Sequence, residues 1–201
     1  MKNPFTLHSS KIVYKNRWIE VQEDRITHPD NGEGVYTYIK TRDSVVLVPI
    51  DDHGRVYMIY TFRYPTKVWK WELPAGGGND GEPVFETSHR ELAEETGILA
   101  KRWDNLGATN VWNGLAVEQQ HTLLARDLEL RPKPKSDDAA LIRDGRFFSF
   151  NQVYQMIEAG EVDDNQTMTS LYLAELFLKK EAMKKQAIGQ DKKPHGKSSE
   201  S

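Results

Sequence analysis

The chemistry of the chain is concentrated in Trp69–Ile98, which reads WKWELPAGGGNDGEPVFETSHRELAEETGI. Glu91 and Glu95 stand four residues apart. At about 100° per residue, a helix puts both carboxylates on one face. Glu94 lies beside Glu91, and Arg90 is four residues from Glu94. Carboxylates crowded in this way repel one another, so the helix gains no stability from them. A hard divalent cation relieves that repulsion, because Mg²⁺ takes oxygen ligands, commonly one or two carboxylates completed by water and substrate phosphate oxygens. Spacing alone leaves a second reading open, a solvated acidic helix face. The preceding loop, Ala75–Gly81, has four glycines in seven residues. Such a loop brings carbonyls to a cation or amides to a phosphate. Gly76, Gly78 and Gly81 also spell GxGxxG, but no βαβ unit surrounds them, and the motif alone is weak evidence for a dinucleotide.

These groups need a frame. Pro83 suits a helix N1 position and Gly97 a helix C-cap, which predicts a helix over Pro83–Thr96. Phe85, His89, Leu92 and Thr96 fall on one side and are expected to form its buried stripe. Further helices are expected at Asn151–Ala159 and Thr167–Lys185. Short strands are expected at Lys11–Tyr14, Trp18–Ile26, Val35–Lys40, Ser44–Ile50, Arg55–Phe62, Trp69–Leu73, Thr109–Val111, Glu118–Ala125 and Gly145–Phe150, with turns at His28–Gly32 and Asp51–Gly54. Strands interleaved with few helices argue for an α+β fold with a mixed sheet. Trp18, Trp69, Trp71 and Trp112 are expected mostly in the core, with Trp112 the candidate for stacking on a base.

Composition narrows the function classes. The chain has 201 residues, no cysteine and a net charge of −3. It is long enough for a real core without disulfides. Thiolate zinc sites, disulfides and a cysteine nucleophile are excluded, as is a GxSxG serine nucleophile. The charge gives no general reason to expect nucleic-acid binding. No apolar run approaches a membrane span, and the N-terminus lacks a signal-peptide core, so a soluble, cytoplasmic protein is expected. From Lys179 onward seven lysines face three acids. That end reads as a basic, solvated tail. Glu118 and His121 are spaced ExxH, but a di-iron site needs such pairs on facing helices, and Glu118–Ala125 is expected as a strand.

Gly76, Glu82 and Arg90–Glu91–Leu92–Ala93–Glu94–Glu95–Thr96–Gly97–Ile98 match GX5EX7REUXEEXGU at all nine specified positions over 23 residues. The segment thus resembles the box of the Nudix hydrolases. Thr61–Tyr64 followed by Trp71–Gly76 resembles the QYRY…ELPAG stretch of ADP-ribose pyrophosphatases and nucleoside diphosphate sugar hydrolases. Leu124–Leu128 and Gly160–Thr167 are similar to that group as well, so the resemblance covers roughly residues 11–178. It implies an α/β/α sandwich with a mixed sheet over residues 43–178 and a small antiparallel region over residues 1–42, with the helix end and tail at residues 179–201. In the resembling group the N-terminal region exchanges across a homodimer and helps cover the substrate.

The resemblance also implies roles. Glu91, Glu95, Glu94 and the Ala75 carbonyl are expected metal ligands for Mg²⁺, with Mn²⁺ as the alternative. Arg90 is expected to orient the glutamates. Glu82 is either a further ligand or a stabiliser of the helix start. Arg63 and Glu72 are expected on the substrate side, Arg63 gripping the diphosphate or else forming a salt bridge. The general base is expected at Glu118 or in the late loop before Leu141, where Asp138 is the candidate. The proline that ADP-ribose pyrophosphatases carry after the box is Asn113 here, beside Trp112. This points away from ADP-ribose as the preferred substrate. The expected reaction is hydrolysis of a nucleoside diphosphate sugar to nucleoside monophosphate and sugar phosphate. The alternatives are an ADP-ribose pyrophosphatase and a nucleotide-binding module without catalysis.

Overall fold

The computed structural model describes residues 2–133 and 141–191. The N-terminal segment forms β1 (Thr6–Lys15), β2 (Glu20–Thr27) and β3 (Glu33–Lys40), an antiparallel meander. β4 (Ser44–Pro49) follows and is buried along almost its whole length. Its side chains alternate between two cores, as a strand covered on both faces requires. Val45 and Leu47 join Leu92, Ile98, Leu123 and Ala125, while Val46 and Val48 join Leu124, Val153, Leu171 and Ala174.

The central sheet places β4 between β7 (Ala75–Gly77) and β10 (Gln119–Leu130), with β8 (Ile98–Asn110) at the far edge. β10 runs parallel to β4 and antiparallel to β8, so the sheet is mixed. α1 (Val84–Thr96) packs against it through Leu92, and α3 (Asn165–Asp191) through Leu171 and Ala174. A second sheet, β11 (Ile142–Phe148), β5 (Val56–Arg63) and β6 (Val68–Glu72), continues the fold, and α2 (Phe150–Glu158) begins at a Ser149–Gln152 capping box. The class is α+β. Among the described residues no helix is long and apolar enough to cross a membrane.

The structure corrects several expectations. β8 spans thirteen residues where only Thr109–Val111 was expected. It is an edge strand with mixed exposure, and Lys101, Arg102, Asp104 and Asn105 hide its period of two. Ala75–Gly77, expected as loop, pairs with β4. Pro83 is the N-cap of α1 rather than its first residue. Phe85 is 51 % exposed, and the buried residues of α1 are Thr87, Ser88 and Leu92. The buried stripe is rotated because α1 sits over β4, β7 and β8. Phe85 packs edge-on against His89 and Trp103 on the outside. Trp18 and Trp112 are 62 % and 58 % exposed, not core.

Candidate active site

Two pieces of local structure bring the glutamates to the sheet. Gly97 closes α1 in the left-handed conformation (φ 74°), its N–H donating to the Ala93 carbonyl at 2.9 Å. A side chain there would be strained, and its Cβ would overlap the Arg131 carbonyl. Upstream, β7 pairs Gly76 with Val45 and Ala75 with Val46, which lays the glycine strand against α1. A Cβ at Gly76 would overlap the Glu91 carboxylate, so any side chain there must push that carboxylate aside.

Arg90 is the hub of the acidic cluster. Its guanidinium donates to Glu82 at 2.9 Å, Glu91 at 2.8 Å, Glu94 at 3.2 Å and the Gly77 carbonyl at 3.1 Å. Glu82 also accepts the Asn79 N–H at 2.8 Å, and with Arg90 this holds its carboxyl at about 2. Glu82 is thereby an anchor between the loop and the helix. Glu95 takes a different partner, the Ala75 N–H at 2.9 Å. Burial pushes the Glu95 carboxyl up to about 8, although the Ala75 bond opposes this, and neighbouring Glu91 adds to the rise. A carboxylate so placed lacks sufficient positive charge.

A cavity of about 500 Å³ opens above these groups and is lined by Ala75, Glu91, Glu94, Glu95 and Glu118, with Arg42, Arg63 and Arg90. Glu118 accepts the Ser44 hydroxyl at 2.9 Å. Arg63 grips Glu72 through Nε at 2.9 Å and Nη2 at 2.6 Å. Glu72 is buried, and its burial raises its carboxyl despite Arg63. Glu72 therefore reaches the cavity through Arg63 and does not line it. Arg63 forms the salt bridge of the two alternatives and also lines the cavity. Trp18 stands at the rim. A second cavity, about 510 Å³, meets the first at Glu118 and is lined by Val111, Trp112, Asp164, Asn165 and Gln166. Asn113, exposed in the turn beside Trp112, lines neither. Asp138 lies outside the described residues.

Among the described residues no three His, Asp or Glu side chains converge as a ready metal cage. Arg90 and the Ala75 N–H draw the box carboxylates apart. The donor types nevertheless suit a hard cation, since several carboxylates share one cavity and Glu95 is under-compensated.

A family model for the NUDIX domain matches residues 40–171, and one for the nucleoside diphosphate sugar hydrolase N-terminal domain matches residues 5–39. The chain belongs to the Nudix family. It is a hydrolase of pyrophosphate bonds, and Nudix hydrolases generally use divalent metal ions. An ADP-ribose pyrophosphatase of Bacillus subtilis (strain 168) is 26 % identical over 174 residues, spanning 87 % of this chain and 92 % of that protein. An ADP-ribose pyrophosphatase of Mycobacterium tuberculosis is 29 % identical over 67 % of this chain and 66 % of its own length. A solved structure titled as an ADP compounds hydrolase superposes with a TM-score of 0.79 at 21 % identity, over 88 % of this chain and 95 % of that one, and so shares the fold.

Sequence reasoning did not single out Arg42, Ser44, Asp164 or Gln166 as site residues. Arg42 pairs with Asp80 at 2.9 Å and faces the cavity from the link between β3 and β4. All four sit outside the box; Asp164 and Gln166 fall in the Gly160–Thr167 stretch, whose likeness assigned them no role. Only the sheet topology brings them to Glu118.

Proposed function

We propose that this Nudix enzyme hydrolyses the diphosphate bond of a nucleoside diphosphate sugar, releasing nucleoside monophosphate and sugar phosphate. The observation that carries the reading is the shared cavity, with a carboxylate floor beside Arg42, Arg63 and Arg90. The arginines suit phosphate oxygens, and the carboxylates suit a cation. The N-terminal match to nucleoside diphosphate sugar hydrolases supports the sugar. ADP-ribose is the second reading, favoured by the names of the two relatives.

Glu91, Glu94, Glu95 and the Ala75 carbonyl would hold Mg²⁺, with Mn²⁺ as a substitute. Bound there, the cation would supply charge neutralisation at the diphosphate and acidify a water. Arg90 keeps the carboxylates of α1 and Glu82 in place. Arg63, clamped by Glu72, presents its guanidinium to the diphosphate. Glu118, oriented by Ser44, is the base that takes the proton of the attacking water, with Asp138 as the other candidate. A binding module without catalysis would have no use for the complete set of box carboxylates.

The protein works as a homodimer in the cytoplasm. Leu7, Ile12, Val13, Tyr14 and Val35 are exposed on the N-terminal sheet, an apolar surface for a second copy to cover. Light scattering should give twice the chain mass at micromolar concentration, and a monomer mass would sink the dimer. For activity, GDP-mannose, UDP-glucose, ADP-ribose and NADH are assayed with Mg²⁺ for monophosphate release. A nucleotide hexose as best substrate supports the reading. ADP-ribose as best substrate selects the alternative.

A further inference from the structure

The geometry points to the cavity beside Trp112 as a subsite for an uncharged, hydroxyl-rich ring. The substrate would then lie with its diphosphate among the arginines and its sugar between Trp112 and Asp164. This rests on the diphosphatase reading above.

Charge is segregated between the two cavities. The first holds Arg42, Arg63 and Arg90. The second has no lysine or arginine among its described lining residues, but it has the carboxylates of Asp164 and Glu118. An anionic group entering it meets two carboxylates and no cation. A neutral ring meets oxygen acceptors for its hydroxyls and an exposed indole face for its C–H edge. At about 510 Å³ the cavity is within the usual range for small-molecule sites, ~300–1,000 Å³.

Both walls are held in place before any ligand arrives. The Trp112 carbonyl accepts the N–H groups of Leu115 at 2.8 Å and Ala116 at 2.9 Å, and the Tyr36 hydroxyl donates to the Gly114 carbonyl at 3.0 Å. On the other wall, Asp164 accepts the Thr167 N–H at 2.7 Å, and the Thr167 hydroxyl accepts the Leu73 N–H at 3.1 Å. The backbone of both walls is thus ordered beforehand, which lowers the ordering cost of binding. A nucleobase is the rival occupant. The first cavity already offers a base its own exposed indole, Trp18, backed by the Arg17 guanidinium at 4.5 Å.

The test compares UDP-glucose with UDP-glucuronate and GDP-mannose with GDP-mannuronate, pairs that differ only by a sugar carboxylate. The wild type should favour the neutral sugar by at least about tenfold in kcat/KM. Asp164→Asn keeps an acceptor for the Thr167 N–H and should narrow that ratio to under about threefold. Trp112→Ala should lower kcat/KM for the hexose at least about tenfold through KM, with Trp112→Phe restoring most of it. Uronates cleaved as well as hexoses, or ratios unmoved by Asp164→Asn, would overturn the subsite. So would variants that change the preference between uridine and guanosine rather than between sugars, which would place the base there. A wild type that cleaves ADP-ribose but neither pair defeats the subsite and leaves the diphosphatase standing. If no diphosphate is cleaved, the diphosphatase reading itself falls.

Discussion

The two walls of the cleft are built in opposite ways. The wall of α1 and β7 is assembled from near neighbours in sequence. Arg90 reaches Glu82 eight residues away and the Gly77 carbonyl thirteen away, and Glu95 takes the Ala75 N–H twenty away. The wall of Val111–Glu118 hangs on distant partners, Tyr36 at a separation of 78 residues and Ser44 at 74. Its β9 (Ala116–Val117) pairs with Ile39 and Lys40 of β3. The first wall is dense with mutually dependent charge, so little in it can change without loss of the shared chemistry. The second is exposed and hydrogen-bonded mainly through backbone, so its side chains can vary. Apart from Glu118, the proposed base, the first wall is therefore expected to govern the reaction and the second the selectivity.

The largest effect should come from Glu95→Gln, which should lower kcat at least about 100-fold on every substrate. A near-normal kcat at saturating Mg²⁺ would show that Glu95 holds β7 to α1 and no metal. The same variant has a stability signature. In the metal-free protein the Glu95 carboxyl titrates at about 8 when folded and near 4.5 when unfolded. Between these values the folded state holds the extra proton, so stability falls as pH rises from about 5 to about 8. Glu95→Gln should flatten that slope in thermal melts, and Mg²⁺ should offset it in the wild type. An unchanged slope in the variant would assign the pH dependence elsewhere.

Gly76→Ala comes next. Its Cβ needs the space of the Glu91 carboxylate, so kcat should fall at least about tenfold while the sheet survives. Normal turnover in this variant would mean the strand and helix separate more easily than their packing implies. On the other wall, Tyr36→Phe removes one hydrogen bond to the Gly114 carbonyl, worth about 1 kcal/mol. KM should rise about threefold to fivefold with kcat retained, and a matching fall in kcat would merge the two walls into one unit. The smallest effect is expected for Asn113→Pro. Asn113 follows Trp112 in a turn closed by the Leu115 N–H, the position where proline is favoured. Because its side chain lines neither cavity, the ratio of kcat/KM between ADP-ribose and a nucleotide hexose should move by less than about threefold. A larger shift would show that the backbone of the turn selects the substrate.

The difference between the walls also decides what was legible before folding. The spacing of Glu91, Glu94 and Glu95, the capping Gly97 and the glycines of the preceding loop are local features, and they identify the reacting half of the cleft from sequence. The continuous apolar run of β4 likewise marks a strand covered on both faces. By contrast, Phe85 lies at a helical spacing that suits burial, yet it is exposed, because only the docking angle of α1 on the sheet determines which face is inside. β8 hides its period of two because an edge strand meets solvent on much of its surface. Arg42 carries no local signature, and Asp164 lies in the Gly160–Thr167 stretch, whose likeness gave it no role. They reach the cleft because β4 and β10 run side by side and α3 starts beside Trp112. The chain itself determined which box carboxylates could hold a cation, since Glu91, Glu94 and Glu95 lie a few positions apart on one helix. The tertiary structure alone decided what faces the rest of the substrate, since those contacts join segments more than seventy residues apart.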